Sequence, residues 1–344
     1  MPKRNQYGSL PLGLLEGSLE KTLPPVDRGP LLIQISATVL STFAICLLIP
    51  HHLVEITADA AWHYTIVDYL SEFWCSIADF RTLHPNMGIY PPLTHAIAAV
   101  VGTVVGSSFL GMSFTAALFT CATYAILLEG IRSSDLRQTT LSICLFLIGF
   151  TALRHFNLTF GAEVVRNYFF AQLGSNVAAL LTIFVFSERQ RSFGEVATIP
   201  AIVFLVGWVY PLAQVEILVG TVVLWIVTIV RSRFDQKQVP TRMVVAAVSI
   251  TVLGTLAIRF HPVYQHMRII ANNNGAGSFD VVPMLALAVM SVALFAASVT
   301  LYVQPSRLVH RKFLGTAGTA IACSFGLHYG SFLVFGSGSP YGVR

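Results

Sequence analysis

Charge is what this chain has least of. Of its 344 residues only 11% are Asp, Glu, Lys or Arg, against 55% hydrophobic, and the mean hydropathy is +0.71. Soluble domains carry roughly one quarter charged residues, so this shortage excludes an ordinary soluble domain and implies an integral membrane protein. Cysteine is scarce as well. Cys46, Cys121, Cys144 and Cys323 fall inside apolar runs, Cys75 stands apart, and no paired metal-ligand spacing links them, so neither a disulfide framework nor a zinc site is indicated. Internal repeats, coiled-coil heptads and low-complexity tracts are absent. The chain does not open like a secretory signal. Residues 1 to 30 are polar and carry Lys3, Arg4, Lys21 and Arg28, and the apolar run that follows is too long for a signal core, so the first span is expected to remain in the mature protein.

What is present is a series of long apolar segments. A helix needs about 20 apolar residues to cross a bilayer, and this predicts spans near 31–50, 107–130, 139–153, 170–187, 197–212, 213–231, 243–259, 281–303 and 313–335. The expected fold is an all-α, polytopic transmembrane bundle of about nine spans, a single membrane unit over 31–344 behind a cytoplasmic tail, 1–30. The net charge of +5 is spread over short segments between apolar runs, which reads as topology information and not as a nucleic-acid patch. Residues 93–106 are short, contain glycine and follow Pro91-Pro92. Taken as a re-entrant or interfacial helix on the outer side, they leave the basic linkers Arg132/Arg137, Arg189/Arg191, Arg231/Arg233/Lys237/Arg242 and Arg307/Arg311/Lys312 together on the cytoplasmic side with the N-terminus. Residues 51–106 then form the first external loop.

That loop collects Glu55, Asp59, His63, Asp68, Glu72 and Asp79, an expensive gathering beside a membrane unless it serves a reaction centre. Asp59 and His63 are four residues apart, one face of a helix, and Asp68 and Glu72 repeat the spacing as solvated charges. A carboxylate half-shielded by Trp62 and the membrane surface would have a raised pKa and suit a general base, with Glu55 competing for the role; capping or solvation is the plainer use of Asp59. His63 could orient Asp59, hydrogen-bond a phosphate or ligate a metal, or sit at the interface with a backbone partner. Tyr90-Pro91-Pro92-Leu93 prevents the preceding residues from continuing as helix and then suits a first helical turn, so Tyr90 and His95 are expected at headgroup depth.

The order of first span, external Asp-x-x-x-His helix and Tyr-Pro-Pro-Leu entry resembles the GT-C superfamily of polytopic glycosyltransferases, which use polyprenyl-phosphate sugars. Asn167 to Gly174, with its aromatic-Gln-Leu-Gly step through Gln172, and Tyr210-Pro211-Leu212 fit the same likeness, which covers residues 30 to 215. It implies a GT-C-like bundle with an external juxtamembrane helix and an essential acidic residue in the first external loop, a position matched by Asp59. It further implies membrane lipids around the chain, a polyprenyl-phosphate-linked sugar donor, and a glycan, lipid or protein acceptor. The chain is shorter than such enzymes and stops at Arg344 just after the ninth predicted span. The expectation is therefore a fragment, or a chain whose acceptor-binding part is missing or supplied by a partner.

On this reading the donor phosphate meets cations at headgroup level, for which Arg154, Arg166, Arg259 and Arg268 are available; each is also a plausible snorkelling surface residue. Transfer proceeds by single displacement with inversion, Asp59 acting as base. The loop from His261 through His266 to Asn274-Gly275 is rich in turn and aromatic residues and could shape a sugar site or simply be a solvent loop. Glu216 begins an apolar span, as a site acid or as a residue held at the interface, with Gln214 beside it. His310 and Lys312 are cytoplasmic and receive no role. Asp59 with His63, or with Asp68, offers ligands to Mg²⁺ or Mn²⁺ without a complete set, so the cofactor is unknown. A bacterial inner membrane with the site on its periplasmic face is the expected location. Two other functions compete: a transporter or flippase, which would favour midspan acids and two related halves, and a truncated, non-catalytic membrane subunit.

Overall fold

The structure is a computed structural model, and it describes residues 28–55, 58–72, 90–152, 170–236, 241–264, 281–303 and 308–335. Among these residues the chain is helical throughout, with one isolated antiparallel bridge between Ser133 and Leu308. The helices are α1 (Gly29–Glu55), α2 (Ala58–Glu72), α3 (Leu93–Val105), α4 (Ser108–Gly130), α5 (Leu136–Ala152) and α6 (Phe170–Glu188). They continue with α7 (Glu195–Val206), α8 (Pro211–Gln236), α9 (Thr241–Arg259), α10 (Val281–Val303) and α11 (Arg311–Phe335). Among the described residues four are long and apolar enough to cross a membrane: Ser108–Gly130, Phe170–Glu188, Ala213–Arg233 within α8, and Thr241–Arg259. Helix α7 has only 12 residues and holds Pro200, so at about 1.5 Å per residue it is shorter than a hydrocarbon core. The apolar run expected to span at 197–212 is divided there, by the turn at 207–210.

Local chemistry sets several of these boundaries. Helix α3 begins immediately after Pro91-Pro92, where the missing N–H groups cost nothing because the first turn has no intrahelical acceptors for them. It ends at Gly106, whose φ of 72° is left-handed and whose N–H returns to the carbonyl of Gly102. One residue later Ser107 caps α4 by accepting the N–H of Leu110 at 3.3 Å. The two helices are then forced into a tight hairpin. A Cβ on Gly111 would fall on the carbonyl oxygen of Ala98 and lie 2.5 Å from backbone atoms of Gly102, so glycine permits their contact.

Helix α2 lies across this hairpin. Its buried positions, His63, Ile66, Val67 and Leu70, follow the three-and-four spacing of one helical face. They pack with Ala98 and Ala99 of α3, Met112 and Ala116 of α4, and Phe170 and Leu173 of α6. A second core joins α6, α7, α8 and α9 through Ala179, Ile199, Val203, Ile217, Trp225 and Ile250. A third, around Phe313 and Ala317, holds α11 against Ile183 of α6. Leu40, Phe43, Phe114, Ile148 and Val252 point outward and are exposed, as suits a perimeter facing lipid.

The two ends of the bundle differ in chemistry. At one, the linkers carrying Arg132, Arg191 and His310 converge. Arg132 grips Glu129 with contacts of 2.6 and 3.1 Å, His310 reaches Glu129 and Glu188, and Arg191 pairs with Glu195 at 3.2 Å. Glu195 also accepts the indole N–H of Trp225 at 3.0 Å. At the other, the Leu93 N–H donates to the Trp208 carbonyl at 3.2 Å, tying the start of α3 to the α7–α8 turn. Helix α3 pairs with the first half of α4 through Gly102 and Gly111, so it does not reach the end where α4 meets His310.

Candidate functional site

The Tyr-Pro-Pro turn is the organiser of the site. Starting α3 at Leu93 puts His95 in its first turn, where its Nδ1 lies 3.1 Å from the Pro91 carbonyl four residues back. From α2, His63 arrives on the same buried face as Ile66 and Val67. Its Nδ1 is 2.8 Å from Nε2 of His95, and the two rings stack with centroids 5.1 Å apart at 30°. Tyr90 presents its ring edge-on to His63 at 5.3 Å. Phe170, the first residue of α6, closes the other side at 5.4 Å from His95. His95 is fully buried and His63 is 3% exposed.

Burial dominates the electrostatics of this pair. Helices α2 and α3 lie outside the four candidate spans, and removal from water, followed by the neighbouring His95, holds His63 well below its ordinary value. Burial takes His95 down to about 4, against the opposing pull of the Pro91 carbonyl. Both imidazoles are therefore neutral near pH 7. Two neutral rings in hydrogen-bond contact form a directional donor–acceptor chain, since each neutral imidazole has one N–H and one lone pair.

A second polar group adjoins the first through the same turn. Gln172 is buried and its amide donates to the Tyr210 hydroxyl at 3.4 Å. Tyr210 packs with Ala171 and Val263. Gln214 is fully buried and donates to the Val203 carbonyl at 2.9 Å, while its Oε1 has no partner among the described residues. His261, just beyond α9, accepts the Val263 N–H on Nδ1 at 3.2 Å, and its buried Nε2 has no partner among the described residues. The rings of Phe204 and Trp208 stand edge-on to it at 4.8 and 4.9 Å, and burial lowers its pKa.

Of the residues expected from the sequence, the structure thus brings His63, Tyr90 and His95 into one cluster, with Gln172 two residues from the Phe170 wall. Glu55 is the last residue of α1 and Asp59 the second of α2, one helical turn before His63; the side chains of both lie outside the described residues. Arg154, Arg166, His266 and Arg268 also lie outside them. Arg259 is the exposed final residue of α9, and Glu216 is half-buried in the second turn of α8. Among the described residues no group of three or more His, Cys, Asp or Glu side chains is arranged to hold a metal ion.

Sequence reasoning gave no site role to Phe170 or Tyr210, and His261 entered it only as the start of a loop that could shape a sugar site. Phe170 reads as the apolar start of a span, and nothing local signals that it walls a histidine 75 positions away; a shared depth for the Tyr-Pro-Pro turn and the aromatic-Gln-Leu-Gly step was the available hint. Comparison with protein-family models, with curated proteins and with solved structures finds no match for this chain.

Proposed function

We propose that this chain is an integral-membrane glycosyltransferase of GT-C type, moving a sugar from a polyprenyl-phosphate donor to an acceptor hydroxyl on the external face of a bacterial inner membrane. About nine spans with α3 re-entrant, a cytoplasmic N-terminus and inversion at the anomeric carbon belong to the same reading. The observation that carries it is the buried His63–His95 pair framed by Tyr90 and Phe170, built by the Tyr-Pro-Pro turn one helical turn from Asp59. A membrane-embedded bundle gains no stability from two desolvated imidazoles that an apolar pair would not supply more cheaply, so their presence favours chemistry.

In this scheme Asp59 takes the proton of the acceptor hydroxyl as its oxygen attacks the anomeric carbon, and the lipid phosphate departs with the electrons of the broken C–O bond. Arginines of the external segments, Arg259 among them, would meet that phosphate. The test is transfer of a radiolabelled hexose from polyprenyl-phosphate hexose in membranes containing Asp59→Asn or Glu55→Gln protein. Asp59→Asn should abolish transfer at unchanged abundance, with Glu55→Gln milder. Full activity in Asp59→Asn moves the base elsewhere, and absence of transfer by the unaltered protein removes the reading. Glu216, half-buried inside a candidate span, favours transport as the second reading. Counterflow of substrate in liposomes without bond cleavage would establish it instead.

A further inference from the structure

The hydrogen bonds of the histidine pair fix more than its position. The Pro91 carbonyl can only accept, so Nδ1 of His95, 3.1 Å away, carries the proton. In a neutral ring that leaves Nε2 of His95 as a lone pair, and the nitrogen 2.8 Å from it, Nδ1 of His63, must be the donor. The proton of neutral His63 is thereby committed to the interior. Its Nε2 is left with a lone pair, and among the described residues no hydrogen bond is made to that atom although the side chain is 97% buried, being 3% exposed.

We propose that His95 is a positioning residue that locks His63 in the Nδ1–H tautomer, so that His63 offers an acceptor, Nε2, to a hydroxyl-bearing ligand and not a donor to a phosphate oxygen. The ligand class rests on the glycosyltransferase reading, where it is a sugar or acceptor hydroxyl; the tautomer does not. An acceptor lone pair facing a phosphate oxygen would be repelled, so the phosphate must be met by other groups. This narrows the role left open for His63 by its spacing from Asp59. Free imidazole interconverts between tautomers, and a fixed one requires a partner such as the Pro91-anchored ring.

The test uses the full chain in lipid bilayers with ¹⁵N-labelled histidine. Magic-angle-spinning NMR should show one coupled pair of neutral rings in which a protonated Nδ1 is hydrogen-bonded to an unprotonated Nε2. A pair joined through a protonated Nε2 of His63, or the absence of any coupled pair, overturns the proposal. Two variants supply the functional arm. His95→Gln places an amide oxygen where Nε2 stands and should keep the tautomer. His95→Phe keeps the ring but removes the acceptor, and should populate the Nε2–H form and lower kcat for hexose transfer at least tenfold with little change in donor KM. Unchanged tautomer in folded His95→Phe also overturns the proposal, and if that variant fails to fold, the spectrum of the unaltered protein decides. A correct tautomer in a protein that transfers no sugar would sink the glycosyltransferase reading and leave the positioning role intact.

Discussion

Nε2 of His310 lies 2.8 Å from Oε1 of Glu129, joining the first turn before α11 to the last turn of α4. The other ring nitrogen is 3.3 Å from Glu188 at the end of α6, so one imidazole bridges three helices. Ionised carboxylates only accept, and both contacts are made together only when both ring nitrogens carry protons.

Replacing His310 with Ala should therefore loosen this end of the bundle. The side chains are 15–38% exposed, so solvent screens the contacts and the loss is about 1 kcal/mol. Reversible unfolding in detergent checks it, together with proteolysis of the linker around Arg132. An unchanged midpoint would show that packing around Phe313 and Ala317, and against α10, holds α11 without this bridge.

The Arg191–Glu195 pair should be far more sensitive. Its side chains are 8% and 6% exposed, Arg191 also donates to the carbonyls of Phe186 and Arg189, and burial pushes the Glu195 carboxyl up against the opposing pull of Arg191. Arg191→Ala strands a buried carboxylate and should cost about 3 kcal/mol. The double variant with Glu195→Ala should recover part of that. A double-mutant cycle with no coupling would refute this account.

Gly111→Ala should separate α3 from α4. The added methyl meets backbone of Ala98 and Gly102, which cannot rotate aside, so roughly 2 kcal/mol or more is expected. Because α3 carries His95, ligand-independent NMR signals of the His63–His95 pair should shift as well. Gly194→Ala, where the nearest atom is 3.7 Å from the new methyl, is the control.

Stability should fall on acidification through the histidine pair. The folded value of His95 is depressed to about 4, so between that pH and the unfolded value near ~6.5 the unfolded chain binds the additional proton. The contribution is complete above that upper value and is lost as pH falls to about 4, amounting to roughly 3 kcal/mol for a fully buried group. Unfolding midpoints measured from pH 7.5 to 4.5 should drop more steeply in the unaltered protein than in His95→Phe. Equal slopes would place the acid sensitivity elsewhere.

Much of the site's framework was legible because its determinants are local. Two consecutive prolines impose an entry angle on whatever follows, and α3 does begin at Leu93. Asp59 and His63 share a helix because nothing in 58–72 breaks one. Four basic linkers were expected on one side by charge, and the structure joins three of them, at 131–138, 188–196 and 308–312, through Glu129, Glu188 and His310. Helix α7 was not legible as too short to span, because the run from Ile199 to Trp208 stays apolar and only backbone geometry shows that the helix stops at Val206.

The sequence by itself determined that this protein is helical and apolar, and where prolines, glycines and charges interrupt its helices, because those effects act within a few residues along the chain. Only the tertiary structure decided which partners the interruptions acquire: that His63 meets His95 and not water, that Phe170 walls them, and that His310 falls between two glutamates. Such contacts depend on how helices dock, through glycine-permitted approach and shape-matched apolar faces, and no periodicity along one helix records the face of another.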